Sequence, residues 1–292
     1  MIWVQAARPR TLPAAIAPVL VGTAAAWQFA GHLPRVGAFF AALVGSIFIQ
    51  IGTNLANDYS DARRGADTAD RLGPVRVTSA GLVTPQRVLY ATWVAFAVAV
   101  ACGIYLAAVA GWIILVVGVA SIAAGVLYTG GPRPYGYAGL GEVFVFLFFG
   151  LVAVNGSYYV QLEELDALPL GLSIAVGFLA TAILVVNNVR DLETDRRAGK
   201  MTSAVRMGRA NAVNVYRLLI VGSFVVLPVS IWAGECQWWP LLGLLAAPLA
   251  VKPIRTMETR TDGPALNKTL AATGGLLAVY SLLVTIGLLL SA

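Results

Sequence analysis

Apolar runs long enough to cross a bilayer recur along almost the whole chain, and that feature removes most folds from consideration. A helix needs roughly 20 residues to span a ~30 Å hydrocarbon layer. Nine runs approach or meet that length, near residues 12–30, 36–58, 87–108, 111–128, 140–160, 168–190, 212–232, 238–252 and 269–290, and the eighth is the shortest. None alternates in the manner of an outer-membrane strand, so backbone polar groups must be satisfied within helices. The mean hydropathy of +0.79 and the 59% apolar share lie beyond the soluble range, which is about 45–50% apolar. The expectation is an all-α multi-pass membrane protein: one domain over residues 1–292, with nine transmembrane helices bundled around a central cavity.

Charge sets the orientation. Nineteen of the twenty lysines and arginines precede span one or follow spans two, four, six and eight, and Arg35 alone lies on the other side. The positive-inside rule then places those segments and the N-terminus in the cytoplasm, with the protein in the plasma membrane. The net charge of +6 describes a face beside anionic membrane lipid and calls for no nucleic-acid partner. MIWVQAARPR lacks the pattern of a cleaved signal and is expected to be an interfacial lead-in. Cys102 and Cys236 are isolated, and the single histidine, His32, sits in a turn. Thiol or imidazole metal sites and histidine-based triads are thereby disfavoured.

Basic loops on that face are expected, but clustered aspartates are not. Residues 57–76, NDYSDARRGADTADRLGPVR, hold four aspartates and four arginines. Gln50, Asn54, Asn57, Asp58 and Asp61 share one helical stripe at the end of span two. Such a stripe cannot face lipid; it belongs in a hydrated, protein-lined cavity. At the end of span six, NNVRDLETDRRAGK repeats the arrangement with Asn187, Asn188, Asp191 and Asp195. An even number of spans separates the two clusters, so they return to the same membrane side. This predicts a parallel internal repeat, spans one to four matched to five to eight, each half contributing one acidic end.

Two carboxylate clusters meeting across a bundle repel unless a cation lies between them. Mg2+ suits such a site, because it prefers carboxylate oxygens, keeps waters and bridges to phosphates. The interleaved arginines and Lys200 suit phosphate oxygens. Acid, base and metal together describe a diphosphate site at the rim of an apolar cavity.

At these residues the chain resembles the UbiA superfamily of intramembrane aromatic prenyltransferases, whose members share a nine-helix bundle and two aspartate motifs, after helices two and six. The first motif reads Asn57, Asp58 and Asp61 here, and the second Asp191 and Asp195. The wording of NDYSDARRGADTADRLGPVR, YTGGPRPYGYAGLGE and NNVRDLETDRRAGKMTSAVRMG is similar to the branch that prenylates 1,4-dihydroxy-2-naphthoate in menaquinone synthesis. The likeness runs over essentially the full length. One departure is Gly65, where many members carry a further aspartate; Asp67 or Asp70 is the expected substitute.

The resemblance implies Mg2+-dependent transfer of a polyprenyl group from a polyprenyl diphosphate to the naphthoate, with loss of diphosphate and CO2. It assigns Asp58, Asp61, Asp67, Asp191 and Asp195 to metal, with Asn57 and Asn187 orienting them. Arg64, Lys200 and Arg206 are the expected diphosphate ligands. Tyr59, Tyr128 and Tyr135 are candidates to face an allylic cation. Arg8, Arg10, Arg71 and Arg76 are candidates for the acceptor carboxylate, and Gly139, Gly141 and Gly150 for the path of the tail. Other readings remain open: a different aromatic acceptor such as 4-hydroxybenzoate or homogentisate, an ion-coupled transporter, or a headgroup transferase. For the last, Ala62 stands where that class needs glycine.

Overall fold

The computed structural model describes residues 2–65, 72–73 and 76–292, and every regular element among them is helical. Helix α1 (Ile2–Ala7) leads through a 3-10 turn (Pro9–Thr11) into α2 (Pro13–Ala30), α3 (Val36–Arg63), α4 (Pro85–Ala110) and α5 (Ile113–Leu127). Helices α6 (Gly141–Val145) and α7 (Ala153–Leu162) form one span, joined by a π-helical segment over Phe146–Val152. Next come α8 (Ala167–Arg190), the short α9 (Leu192–Arg197), α10 (Ser203–Ala233), α11 (Pro248–Thr259) and α12 (Gly263–Leu290).

Among the described residues, seven helices are long and apolar enough to cross a membrane: α2, α3, α4, the α6–α7 span, α8, α10 and α12. Two of the nine expected spans fall outside that set. Helix α5 has 15 residues, about 22 Å at 1.5 Å per residue and so short of a full crossing. The region expected as the eighth span is a 3-10 run, Trp239–Ala246, followed by α11, which carries Lys252, Arg255 and Glu258. A proline near its start (Pro248) and another inside it (Pro253) suit this broken, amphipathic path.

Helix α8 is the axis of the bundle, packed by α10, α12 and α2. Leu172, Leu179 and Val186 on it are fully enclosed. Hydrocarbon tails are as apolar as leucine, so close packing must hold such helices together, and small residues permit it. The buried face of α2 is accordingly rich in alanine. At Gly22 a Cβ would lie 2.1 Å from the Val154 carbonyl oxygen, so only glycine lets α2 meet α7 there. The outer faces carry Trp93, Val119, Leu218 and Trp232, all exposed, as acyl chains require.

Helix α10 is kinked at Gly208, whose φ of 78° lies in the left-handed region. The kink gives the turn bearing Ser203 and Arg206 a different direction from the span that follows.

Overpacking at the α2–α7 contact gives the first prediction. Gly22→Ala lowers the thermal stability of the purified protein by the equivalent of about 1–3 kcal/mol. Gly275→Ala in α12, where a Cβ meets nothing within 4 Å, leaves the melting temperature unchanged or slightly raised.

Candidate active site

A cavity of about 370 Å3 is walled by α2, α3, α4, α5, the α6–α7 span and α8. Its lining changes character along the helices. On α3 it passes from Ala42 and Gly45 through Gln50 and Asn54 to Asn57 and Asp61; on α8 it passes from Ala180 and Leu184 to Asn187, Asn188 and Asp191. Both helices therefore bring their C-terminal ends to the same polar end of one cavity, and Asp195 joins them from α9.

The polar stripe on α3 also fixes the start of the chain. Gln50 Nε2 donates to Thr11 Oγ1 at 3.0 Å, and Asn54 Nδ2 donates to the Ala7 carbonyl at 3.0 Å. Between those anchors Arg8 adopts a left-handed backbone, φ 53°, and its side chain lines the cavity. Unfavourable backbone of this kind persists where neighbours over-determine it.

Asp61 is 1% exposed and is held by three groups. Arg76 Nη2 lies 2.8 Å from it, Lys200 Nζ lies 3.3 Å away, and the Tyr137 hydroxyl donates to it at 2.7 Å. Lys200 also sits 4.7 Å from the centre of the Tyr137 ring, a cation–π distance. The backbone N–H of Lys200 donates to the Asp195 carbonyl at 2.8 Å. One lysine thus ties the second acidic segment to the first.

Asp191 has its own counter-ion. Arg190 engages it with two prongs, Nε at 2.9 Å and Nη2 at 2.5 Å. The same guanidinium donates to Asn187 Oδ1 at 2.8 Å and to Asn267 Oδ1 at 2.9 Å, and Asn267 Nδ2 reaches the Leu72 carbonyl at 2.8 Å. Fork geometry of this kind fixes direction as well as charge.

An aromatic wall flanks the charged end. Tyr128 and Tyr135 pack edge to face at 5.4 Å, and Tyr135 stacks on Phe144 at 3.9 Å; all three line the cavity. Burial pushes the phenols of Tyr128 and Tyr135 above their ordinary value, with the charge of Glu142 adding to the effect at Tyr128. Both rings stay neutral across the physiological range.

The structure gathers Arg8, Asn57, Asp61, Arg76, Tyr128, Asn187, Asp191, Asp195 and Lys200 around this cavity. Other expected residues lie elsewhere. Asp58 does not line it: its two oxygens accept from the backbone N–H groups of Val77 and Thr78, each at 3.0 Å. It fastens the segment that carries Arg76. Arg64 points to the Gly131 carbonyl and lies over the outside of Tyr137, and Arg206 donates to the Met201 carbonyl; both are exposed. Tyr59 meets Arg63, and Arg10 is exposed. Asp67, Asp70 and Arg71 lie outside the described residues. The three glycines expected along a tail are filled contacts instead, Gly139 against Arg206, Gly141 against Tyr128 and Leu184, and Gly150 against Gly177.

Two residues that complete the site were not singled out from the sequence. Tyr137 lay in a recognisable stretch, YTGGPRPYGYAGLGE, without any spacing that linked it to Asp61. Arg190 adjoins Asp191 in sequence, but on an ideal helix adjacent residues point about 100° apart. Only the turn between α8 and α9, with Asp191 as the hinge residue, brings the two together.

The donor set at the polar end is oxygen and amide, without sulfur or imidazole, which fits a hard cation. Among the described residues no three acidic, histidine or cysteine side chains form a ready-made cage. That matches a metal held by one or two carboxylates, with waters and a phosphorylated ligand completing its shell.

Residues 15–273 match the UbiA prenyltransferase family. The chain belongs to that family. This UbiA-family chain is 43% identical over 283 residues to a 1,4-dihydroxy-2-naphthoate octaprenyltransferase of Mycobacterium tuberculosis, covering 97% of this chain and 94% of the relative. It is 40% identical over 297 residues to the Escherichia coli protein of the same name, covering 99% and 95%. A UbiA homolog from Archaeoglobus fulgidus, solved with GPP and Mg2+, superposes with a TM-score of 0.63 at 15% identity, over 98% of this chain and 100% of that one. The last comparison bears on the fold alone.

The position of Asp58 separates two roles that the sequence had merged. Asp58→Asn loses one of two backbone hydrogen bonds and lowers stability by about 1–3 kcal/mol, while divalent-cation affinity measured by calorimetry stays within about twofold of wild type.

Proposed function

We propose that this chain transfers a polyprenyl group from polyprenyl diphosphate to 1,4-dihydroxy-2-naphthoate, with loss of diphosphate and CO2, giving a demethylmenaquinol. The observation that carries this reading is the meeting of Asp61 and Asp191, with Arg76 and Lys200, at the polar end of a cavity whose remainder is mostly apolar. A ligand with a doubly anionic head and a hydrocarbon tail matches that division. The names of relatives at 40–43% identity, spanning nearly all of this chain, support the naphthoate as acceptor.

The cofactor in this reading is Mg2+, which one or two of Asp61, Asp191 and Asp195 would hold, with waters and the diphosphate completing its shell; when bound it would neutralise the leaving diphosphate. The oxygen and amide donors gathered at that end of the cavity support that choice. Arg76 and Lys200 now neutralise Asp61. On ligand entry they turn to the phosphate oxygens, and the Asp61 carboxylate they leave would then be available to hold the metal. Charge developing on the departing diphosphate therefore meets cations already in place, which is where electrostatic catalysis gains most. Asn57 and Asn187 line the same end and hold the diphosphate in register.

The allylic cation forms beside the faces of Tyr128, Tyr135 and Phe144, which stabilise positive charge and keep water away. The tail runs along Ala42, Gly45 and Gly118, small residues of the apolar wall. Arg8, fixed in the cavity by its unusual backbone, is the residue placed to bind the acceptor carboxylate. The acids lie at the ends of α3 and α8 beside basic segments and not at mid-membrane, which favours chemistry over transport. In this reading the chain is one domain with a parallel repeat, its N-terminus and site facing the cytoplasm at the plasma membrane.

Membranes carrying the protein, incubated with radiolabelled dihydroxynaphthoate, a polyprenyl diphosphate and Mg2+, yield a lipid-soluble decarboxylated product. Chelating the metal, or making Asp61→Asn or Asp191→Asn, lowers the rate by on the order of 10² or more while the protein stays inserted. Retained turnover in either variant removes the metal assignment.

A further inference from the structure

Three asparagines reach the polar end of the cavity, and their partners orient them in two ways. Asn57 Oδ1 accepts from Thr129 Oγ1 at 2.8 Å, and Asn187 Oδ1 accepts from Arg190 Nη2 at 2.8 Å. Both have their carbonyl engaged, and their amide N–H groups remain for a ligand, which suits phosphate oxygens. Asn188 is reversed. Its Nδ2 donates to Glu142 Oε1 at 2.8 Å, and an ionised carboxylate only accepts, so this contact decides which half of the amide faces it. The carbonyl oxygen of Asn188 is the half left for a ligand in the cavity that this residue lines.

Glu142 is held firmly for the task. It lies in the first turn of α6, where the helix dipole favours an acid. Ser203, the first residue of α10, donates to the same Oε1. Oε2 is buried without a hydrogen-bond partner, a cost that an apolar residue would avoid if packing were the only role.

The position of Asn188 says what it meets. It lies one turn inward of Asp191 on α8, and the next turn inward presents Leu184 to the cavity. The reacting carbon of an allylic diphosphate lies between a charged head and an apolar tail, so it sits at this border, and the aromatic nucleophile must meet it there.

We propose that Asn188, oriented by Glu142, accepts the hydrogen of a ring hydroxyl on the aromatic acceptor and so sets which ring carbon faces the allylic carbon. Glu142 is a positioning residue, acting through Asn188. This rests on the prenyl-transfer reading above.

Equilibrium binding to the full chain in lipid nanodiscs, with Mg2+ and the unreactive donor geranyl thiodiphosphate, tests the proposal without turnover. Glu142→Leu weakens dihydroxynaphthoate binding about tenfold and leaves thiodiphosphate affinity and the Mg2+ requirement within about twofold. Glu142→Gln, whose amide oxygen still accepts from Asn188, stays within about threefold of wild type. Methylating the hydroxyl that Asn188 receives weakens binding to wild type and adds nothing in Glu142→Leu. Equal losses in the Leu and Gln variants overturn the proposal, because charge rather than orientation is then at work. Joint loss of donor and acceptor, or a shifted Mg2+ requirement, overturns it as well. If Glu142→Leu does not fold, Asn188→Leu is read against the same outcomes. A wild type that binds the naphthoate but never converts it sinks the proposed reaction and leaves the orientation standing; one that converts it, with variants binding alike, does the reverse.

Discussion

A buried carboxylate that must stay charged is the constraint on which the rest of this structure depends. Asp61 is almost wholly removed from solvent, and an isolated carboxylate there would shed its charge or destabilise the fold. A guanidinium, an ammonium and a phenol converge on it from three separate segments, at Arg76, Lys200 and Tyr137. Those segments are connections between spans, regular only in the single 3-10 turn Tyr135–Ala138 that carries Tyr137. The ion cluster is what gives them a position, and Asp58 contributes by fastening Val77 and Thr78 beside Arg76.

The second half of the site follows the same rule with different parts. Arg190 balances Asp191 within the motif itself and reaches across to Asn267 on α12. Each acidic helix end thus brings its own cation, and the two ends share one cavity without three acids clustering among the described residues. A site of that kind is poised for partner exchange. Its internal pairs hold together the segments that carry them, and in the proposed reaction an incoming anion with a divalent cation would offer each charge a replacement.

Helix packing supplies what the charges need, which is a dry wall. Close contacts at Gly22, between α2 and α7, and at Gly150, between the π-helical segment and α8, seal two seams of that wall, and Trp93, Leu218 and Trp232 face outward to lipid. The π-helical segment Phe146–Val152 lies in the span that carries Phe144 and Phe148 into the cavity. Such segments are rare and tend to occur where a helix re-aims side chains at a site.

Much of this was legible in the chain. Hydropathy marked the spans because lipid offers the backbone no partners, and the two acidic stripes marked the site because a charge inside a membrane protein needs a reason. The family motif reinforced both. Periodicity could not separate Asp58 from Asp61. Both fall within one polar stripe on an ideal helix, yet one turns to a loop and the other to the cavity. It also marked α5 and the stretch after Trp239 as spans, and neither is a single helix of the length and apolarity that the other seven have among the described residues. By itself the sequence determined the membrane class and the pairing of two acidic helix ends, both of which follow from composition and local spacing. Only the tertiary structure decided which cation answers which carboxylate, that Tyr137 and Arg190 belong to the site, and which way Asn188 turns. Those are contacts between residues tens to over a hundred positions apart, or across a helix break, and no local pattern encodes them.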